Sequence, residues 1–281
     1  MKIKFRMCFL ITIACLTMGC VARQPNLSNN NVNSILWIQT SSEYKANSIQ
    51  AFNAAENIIP QALSDTSWTS ALEQGHDYSV LPAAVILDID DTVLDNSQYQ
   101  AQLIINGNEF DPDSWDRWVA MKSAPAVPGS VDFINKMAER GIEVIYITNC
   151  ECRPRSEAGP ACPQEKDIID NLIKVGIKAV KTENILLKKE KPEWSSEKKS
   201  RRETIASNYR IVMLFGDDLG DFLPDVKKDI TPAQRDSLVD KYRENWGVKW
   251  FVISNPAYGS WMEILSDPKS GHLKGYKTIE H

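Results

Sequence analysis

Two aspartates, Asp88 and Asp90, stand two residues apart just after a short apolar run, Ala83-Ala84-Val85-Ile86-Leu87. The run is partly β-branched and follows Pro82, which predicts a buried parallel strand over 83–87. Side chains at i and i+2 leave a strand on the same side, so both carboxylates face one crevice at its carboxyl end. Open α/β sheets bind their ligands at that edge. Two acids held so close repel each other unless a cation or a proton intervenes, so the pair predicts a bound metal ion and one perturbed pKa.

Further reactive side chains fall at the ends of other expected strands. Thr148-Asn149 closes a β-branched, aromatic strand over 143–148, and Gly216-Asp217-Asp218-Leu219-Gly220-Asp221 closes one over 211–215. Short strands at 185–187 and 250–254 complete the set, and a charged segment carries Lys198, Lys199, Arg201 and Arg202. In a parallel sheet all carboxyl ends lie on one edge, so Asp88, Asp90, Thr148 and Asp217 converge. A carboxylate nucleophile, a second carboxyl, a hydroxyl, a lysine and further acids make a set suited to phosphoryl transfer. Its all-oxygen acids suit Mg²⁺.

The elements that must position these groups alternate strand with helix. A helical pattern runs from Ser34 to about Leu72 (Ile35, Ile38, Ile49, Phe52, Ala55, Ile59), with Pro60 expected to interrupt or end it. Residues 95–127 are rich in aromatics (Tyr99, Phe110, Trp115, Trp118) and partly helical in pattern. An amphipathic helix follows Pro128-Gly129 and ends at Gly141, and another spans 163–175 and ends at Gly176. The fold class expected is α/β, a doubly wound, mostly parallel Rossmann-like sheet with an additional small helical subdomain.

The 281 residues suffice for one large domain. A net charge of −5 argues against a nucleic-acid polymer as partner. His76, His272 and His281 have no metal-ligand spacing, and no nucleophile-elbow, dinucleotide or P-loop motif occurs.

The first residues read as an export signal over 1–19: Lys2, Lys4 and Arg6 are followed by an apolar stretch too short to span a bilayer. Leu16-Thr17-Met18-Gly19-Cys20 resembles a bacterial lipobox, with Cys20 the lipidated residue, although Thr17 stands where leucine is usual. Ordinary cleavage near Ala22 is the alternative. Residues 20–33 would be a tether and 34–281 the folded domain, touching the membrane only through the anchor. In an oxidising compartment one disulfide is expected, joining Cys162 to Cys150 or to Cys152.

The ordered blocks Asp88–Ser97, Trp115–Trp118, Ala126–Gly129, Ile147–Asn149, Gly216–Phe222 and Asn255–Trp261 resemble the haloacid dehalogenase (HAD) superfamily, and within it the class C non-specific acid phosphatases and 5′-nucleotidase lipoproteins. The resemblance implies a Mg²⁺-dependent phosphomonoesterase with an acidic optimum. Asp88 would be the nucleophile and Asp90 the general acid and base. Thr148 and Lys198 would hold the phosphoryl oxygens, with Lys199 an alternative to Lys198. Asp88, the main-chain carbonyl of Asp90, Asp217 and Asp221 would hold the metal. Asn149, Trp115 and Tyr258 would contact substrate, a nucleoside monophosphate or another small phosphomonoester. The loop from Cys150 to Cys162 departs from that family's usual pattern. A non-catalytic ligand-binding or storage protein on the same fold, and a phosphotransferase using the same site, are the alternatives; the oligomeric state is left open.

Overall fold

The computed structural model describes residues 31–75 and 77–275. The expected signal, Cys20 and most of the tether lie outside the described residues. Among the described residues no helix is long and apolar enough to cross a membrane.

Two helices open the described chain, α1 (Val32–Thr40) and α2 (Ser42–Ser64). The single helical pattern of the sequence is thus broken at Ser41, whose extended backbone and side-chain oxygen, accepting from the Tyr44 amide, cap α2. Val32, assigned to the tether by its polar surroundings, begins α1 because it packs beside Ile35 and Ile38. Pro60 does not end α2. Its exposed ring costs one intrahelical hydrogen bond, while Phe52, Ala55, Ile59 and Ala62 stay buried against the sheet on the opposite face. Past the helix, Arg210 gathers the carbonyl oxygens of Ala62, Asp65 and Trp68 at 2.9, 2.9 and 3.3 Å, satisfying the end of α2.

The rest alternates. Strand β1 (Ala83–Leu87) leads into α3 (Ser97–Asn106), α4 (Pro112–Met121) and α5 (Ser130–Glu139). Then follow β2 (Glu143–Glu151), α6 (Pro163–Lys174), β3 (Ile185–Lys188) and α7 (Lys199–Ala206). The chain closes with β4 (Arg210–Gly216), α8 (Pro232–Lys241), β5 (Trp250–Val252) and α9 (Ser260–Glu263). All strand pairs are parallel, in the order β3-β2-β1-β4-β5. The order reverses between β1 and β4, the switch point at which such sheets open a ligand crevice.

Both faces are covered, which is why the strands are apolar throughout. On one face Val85, Leu87, Tyr146 and Phe215 pack with α2, α5 and α6; Phe215 stacks between Phe52 and Phe251 at centroid distances of 5.3 and 5.0 Å. On the other, Ile86, Ile147, Leu214 and Trp250 pack with Ile205, Phe222 and Val226. A third, smaller cluster joins α1 to α3 through Ile35, Ile38 and Ile104, and takes in Ala257 from the loop after β5.

Candidate active site

The carboxyl ends of β1 and β4 deliver an acid cluster. Asp88, Asp217 and Asp221 offer oxygens that all lie within 4.8 Å of one another. Asp221 reaches this spot from the short turn Leu219–Asp221 because residue 216 is glycine: a Cβ there would collide with the Asp221 carboxylate. Its Oδ2 accepts the Asp218 amide at 3.0 Å. Asp217 accepts from Asn255 Nδ2 at 2.8 Å and from the Thr92 hydroxyl at 3.3 Å.

Lys198, at the N-terminal edge of α7, is only 3% exposed, and its ammonium bridges Asp88 and Asp221, the latter at 2.7 Å. Lys199 points outward and reaches Glu203 at 3.8 Å. Of the two lysines, Lys198 alone enters the cluster. Arg201, one turn along, donates to the Thr148 carbonyl at 2.5 Å, to Asn149 Oδ1 at 2.8 Å and to the Ser195 carbonyl at 2.9 Å. It pins the carboxyl end of β2 to α7.

Asp90 has a different neighbourhood. Its two oxygens accept from the Thr148 hydroxyl at 2.7 Å and from Asn96 Nδ2 at 3.1 Å. Asn96, buried, also donates its amide to Asp91 Oδ1 at 2.8 Å and accepts Trp118 Nε1 at 2.7 Å. Asp91 is buried and receives the Tyr258 hydroxyl. Asp218, a loop acid by sequence, caps its turn and accepts the amide and hydroxyl of Ser260 at 2.6 and 2.7 Å. Trp115 is half-buried on α4, edge-on to Tyr99 at 5.1 Å, with its side chain against the Cys150 thiol. The disulfide joins Cys152 to Cys162, and Cys150 is buried and free.

Burial raises the Asp88 carboxyl above its ordinary range against the pull of Lys198, with Asp221 and Asp90 adding repulsion. Burial and the charges of Asp88, Asp221 and Asp91 push Asp217 well up. Three hard oxygen donors crowded at this cost are a set that a divalent cation relieves. The donor chemistry fits Mg²⁺.

Asn96, Asn255 and the pair Arg201 and Arg202 were not singled out by sequence reading as site residues. The two asparagines lie inside the motif blocks around Asp88 and Tyr258, the one signal that pointed to them.

Comparison with known proteins agrees with this geometry. A family model for the HAD superfamily, subfamily IIIB (acid phosphatase), matches residues 12–261. Two solved structures of a class C acid phosphatase from Bacillus anthracis superpose with TM-scores of 0.71 and 0.73, at 30% and 29% identity. Each alignment covers 88% of this chain and 98% of the other, and the second of those structures has tungstate bound. Among curated proteins, the stem 31 kDa and stem 28 kDa glycoproteins of Glycine max are 29% and 28% identical over 144 and 143 residues. Those alignments take in 50% and 49% of this chain and 52% of each glycoprotein, so the chain spans about half the length of the curated relatives it matches. With a family model running from residue 12 to residue 261, the chain belongs to the HAD superfamily, subfamily IIIB.

Proposed function

We propose that the protein is an exported phosphomonoesterase that hydrolyses nucleoside monophosphates and other small organic phosphates, with Mg²⁺ at its acid cluster. One observation carries the reading: two buried aspartates two residues apart have different polar partners. Asp88 pairs with Lys198 within the acid cluster, whereas Asp90, near enough to repel Asp88, is hydrogen-bonded by Thr148 and Asn96. Such a division of environments assigns different roles to like groups.

In this reading an Asp88 oxygen attacks phosphorus, the bond to the ester oxygen breaks, and Asp90 gives that oxygen its proton. Asp90 then takes a proton from water as the water displaces Asp88, releasing inorganic phosphate. Lys198 and Thr148 hold the phosphoryl oxygens, and Arg201 keeps Thr148 and Asn149 in place. Held by Asp88, Asp217, Asp221 and the main chain at Asp90, Mg²⁺ would neutralise charge on the phosphoryl group. Trp115 and the ring of Tyr258 would meet the organic part of the substrate.

Replacing Asp88 by Asn tests the reading, with phosphate release measured on p-nitrophenyl phosphate and a panel of nucleoside monophosphates, with and without EDTA. Wild-type turnover that needs Mg²⁺ and falls on the order of a thousandfold or more in the variant supports it. A folded wild type releasing no phosphate from any substrate would replace it with ligand binding. Export rests on the basic start and apolar stretch of the chain, and lipidation on Cys20. A mature N-terminus at Arg23 without diacylglycerol, found by mass spectrometry of the membrane fraction, would remove the anchor.

A further inference from the structure

Helix α4 carries Trp115 to the carboxyl edge of the sheet, yet none of its residues is fully buried. Trp118 and Val119 pack against the core only in part. Tyr99 and Asn96 hold one side of the helix, and a row of polar contacts holds the other. At its start, Arg153 donates to the Pro112 carbonyl and pairs with Asp113, both at 2.8 Å. In its middle, Arg155 grips Asp116 with two parallel bonds, Nε to Oδ2 at 2.8 Å and Nη2 to Oδ1 at 2.9 Å. At its end, Lys122 pairs with Asp167 and Asp170 of α6 at 3.0 and 2.6 Å.

Arg155 is itself held. Its Nη1 donates to Asp167 at 2.5 Å, and Gln164 on α6 reaches Asp116 Oδ1 at 2.7 Å while bonding the Arg153 carbonyl at 2.9 Å. Both arginines sit in the loop that the Cys152–Cys162 bond closes, directly before α6. Isolated surface ion pairs contribute little, but a two-bond arginine–carboxylate pair inside a network is the exception. Asp116 and Asp167 are 13% and 10% exposed and Arg155 32%, so the carboxylates are sheltered while the guanidinium is partly open to water.

We propose that Arg155, held by the disulfide-closed loop, is a specificity-determining positioning residue: through Asp116 it sets where α4 stands, and so where Trp115 meets the organic part of the substrate. The inference rests on the phosphomonoesterase reading above. The phosphoryl machinery on β1, β2, β4 and α7 does not touch the loop's arginines, and α4 meets it through Trp118 and Asn96 at the far side from Asp116, so loosening the Arg155 clamp acts mainly on recognition of the leaving group.

The test is a double-mutant cycle of Arg155→Met and Asp116→Asn, with Arg155→Lys and Cys152→Ser/Cys162→Ser beside it. KM and kcat are measured for a nucleoside monophosphate and for phosphate esters of small alkyl alcohols, and hydrogen exchange is followed in α4 against β1 and β4. Each single variant is expected to raise the nucleotide KM on the order of tenfold, with kcat within about twofold. Exchange speeds up in α4 alone, the alkyl esters are little affected, and the double variant is no worse than either single one. Lysine, a point charge without the fork, restores only part of the loss. The serine pair is expected to loosen α4 in the same way. Additive effects in the cycle, unchanged α4 exchange, or a fall in kcat at constant KM would overturn the proposal. If wild type hydrolysed nothing, the phosphomonoesterase reading would fail by itself, and α4 exchange in the Arg155 and Asp116 variants would still decide whether the clamp exists.

Discussion

Glu73 and Arg202 form an ion pair at 2.6 Å in which the two side chains are 3% and 1% exposed. Glu73 comes from the segment before β1 and Arg202 from α7, and the other arm of Arg202 donates to the Asp221 carbonyl at 2.9 Å. The pair therefore ties the approach to the first strand to the turn that presents Asp221. Glu73→Gln leaves a buried guanidinium without its counter-charge, a loss of about 3–5 kcal/mol. A second variant, Glu73→Met with Arg202→Met, should recover much of that stability in urea unfolding. It should not recover phosphate release, because the Asp221 carbonyl has lost its donor. Full activity in the double variant would show that Arg202 has no part in placing Asp221.

Gly216→Ala should separate folding from metal binding. The added methyl cannot coexist with the Asp221 carboxylate where it now stands, so the acid must leave the cluster. In wild type, Mg²⁺ should raise Tm, since a ligand of the native state stabilises it by mass action. In Gly216→Ala that rise should shrink or vanish and Mg²⁺-dependent turnover with it. An unaltered Mg²⁺ shift in Tm would mean that Asp221 is dispensable for the ion.

Asn96→Ala removes side-chain bonds to Asp90 and Trp118 at one stroke. A loss of about 2–3 kcal/mol in stability is expected, at roughly 1 kcal/mol per bond and more where a buried partner is stranded. Because Asp90 also loses one of its two anchors, kcat should fall while the nucleotide KM changes less. Denaturant unfolding and steady-state kinetics on the same preparation check both halves.

Acid sensitivity has a local source away from the crevice. Lys136 of α5 and Arg140, just past its end, hold Glu56 of α2 at 2.8 and 3.1 Å. The hydrogen bond from Lys136, working against burial and with both charges, lowers the Glu56 carboxyl below 4.5. A carboxyl lowered in the folded state adds stability above its unfolded value, lost as pH falls through the folded one. Glu56→Gln should therefore be less stable than wild type near neutral pH, by under about 1 kcal/mol at this partly exposed site. Once the pH has fallen through the folded pKa, the two should converge. A constant gap at neutral and acid pH in urea melts would assign the loss to packing instead.

Strands were the most legible part of the chain. Runs of three to six residues between turn signals marked β1 to β4 within a few residues, and only β5, placed at 250–254, stops early at Val252. Helices were less so, because a periodic pattern does not reveal the Ser41 cap or the burial that carries α2 past Pro60. In the site, the spacing of Asp88 and Asp90 and the strand-end rule brought together Thr148 and Asp217, and the family resemblance added Asp221. The lysine needed the third dimension: in a run of neighbouring charges only burial distinguishes Lys198 from Lys199. Partners far apart in the chain, such as Glu73 with Arg202 or Tyr258 with Asp91, leave no local periodicity to read.

The strand order has a consequence for how the molecule comes into being. β1 is made first but sits in the middle, with β2 on one flank and β4 on the other. A ribosome-bound chain that has not yet released β4 therefore carries the apolar strand β1 with one edge of unpaired amide and carbonyl groups open, the kind of surface that templates association between chains. Each nascent molecule must stay extended, or be shielded by another factor, until residues beyond 216 are free, and truncation products ending earlier should collect as insoluble material.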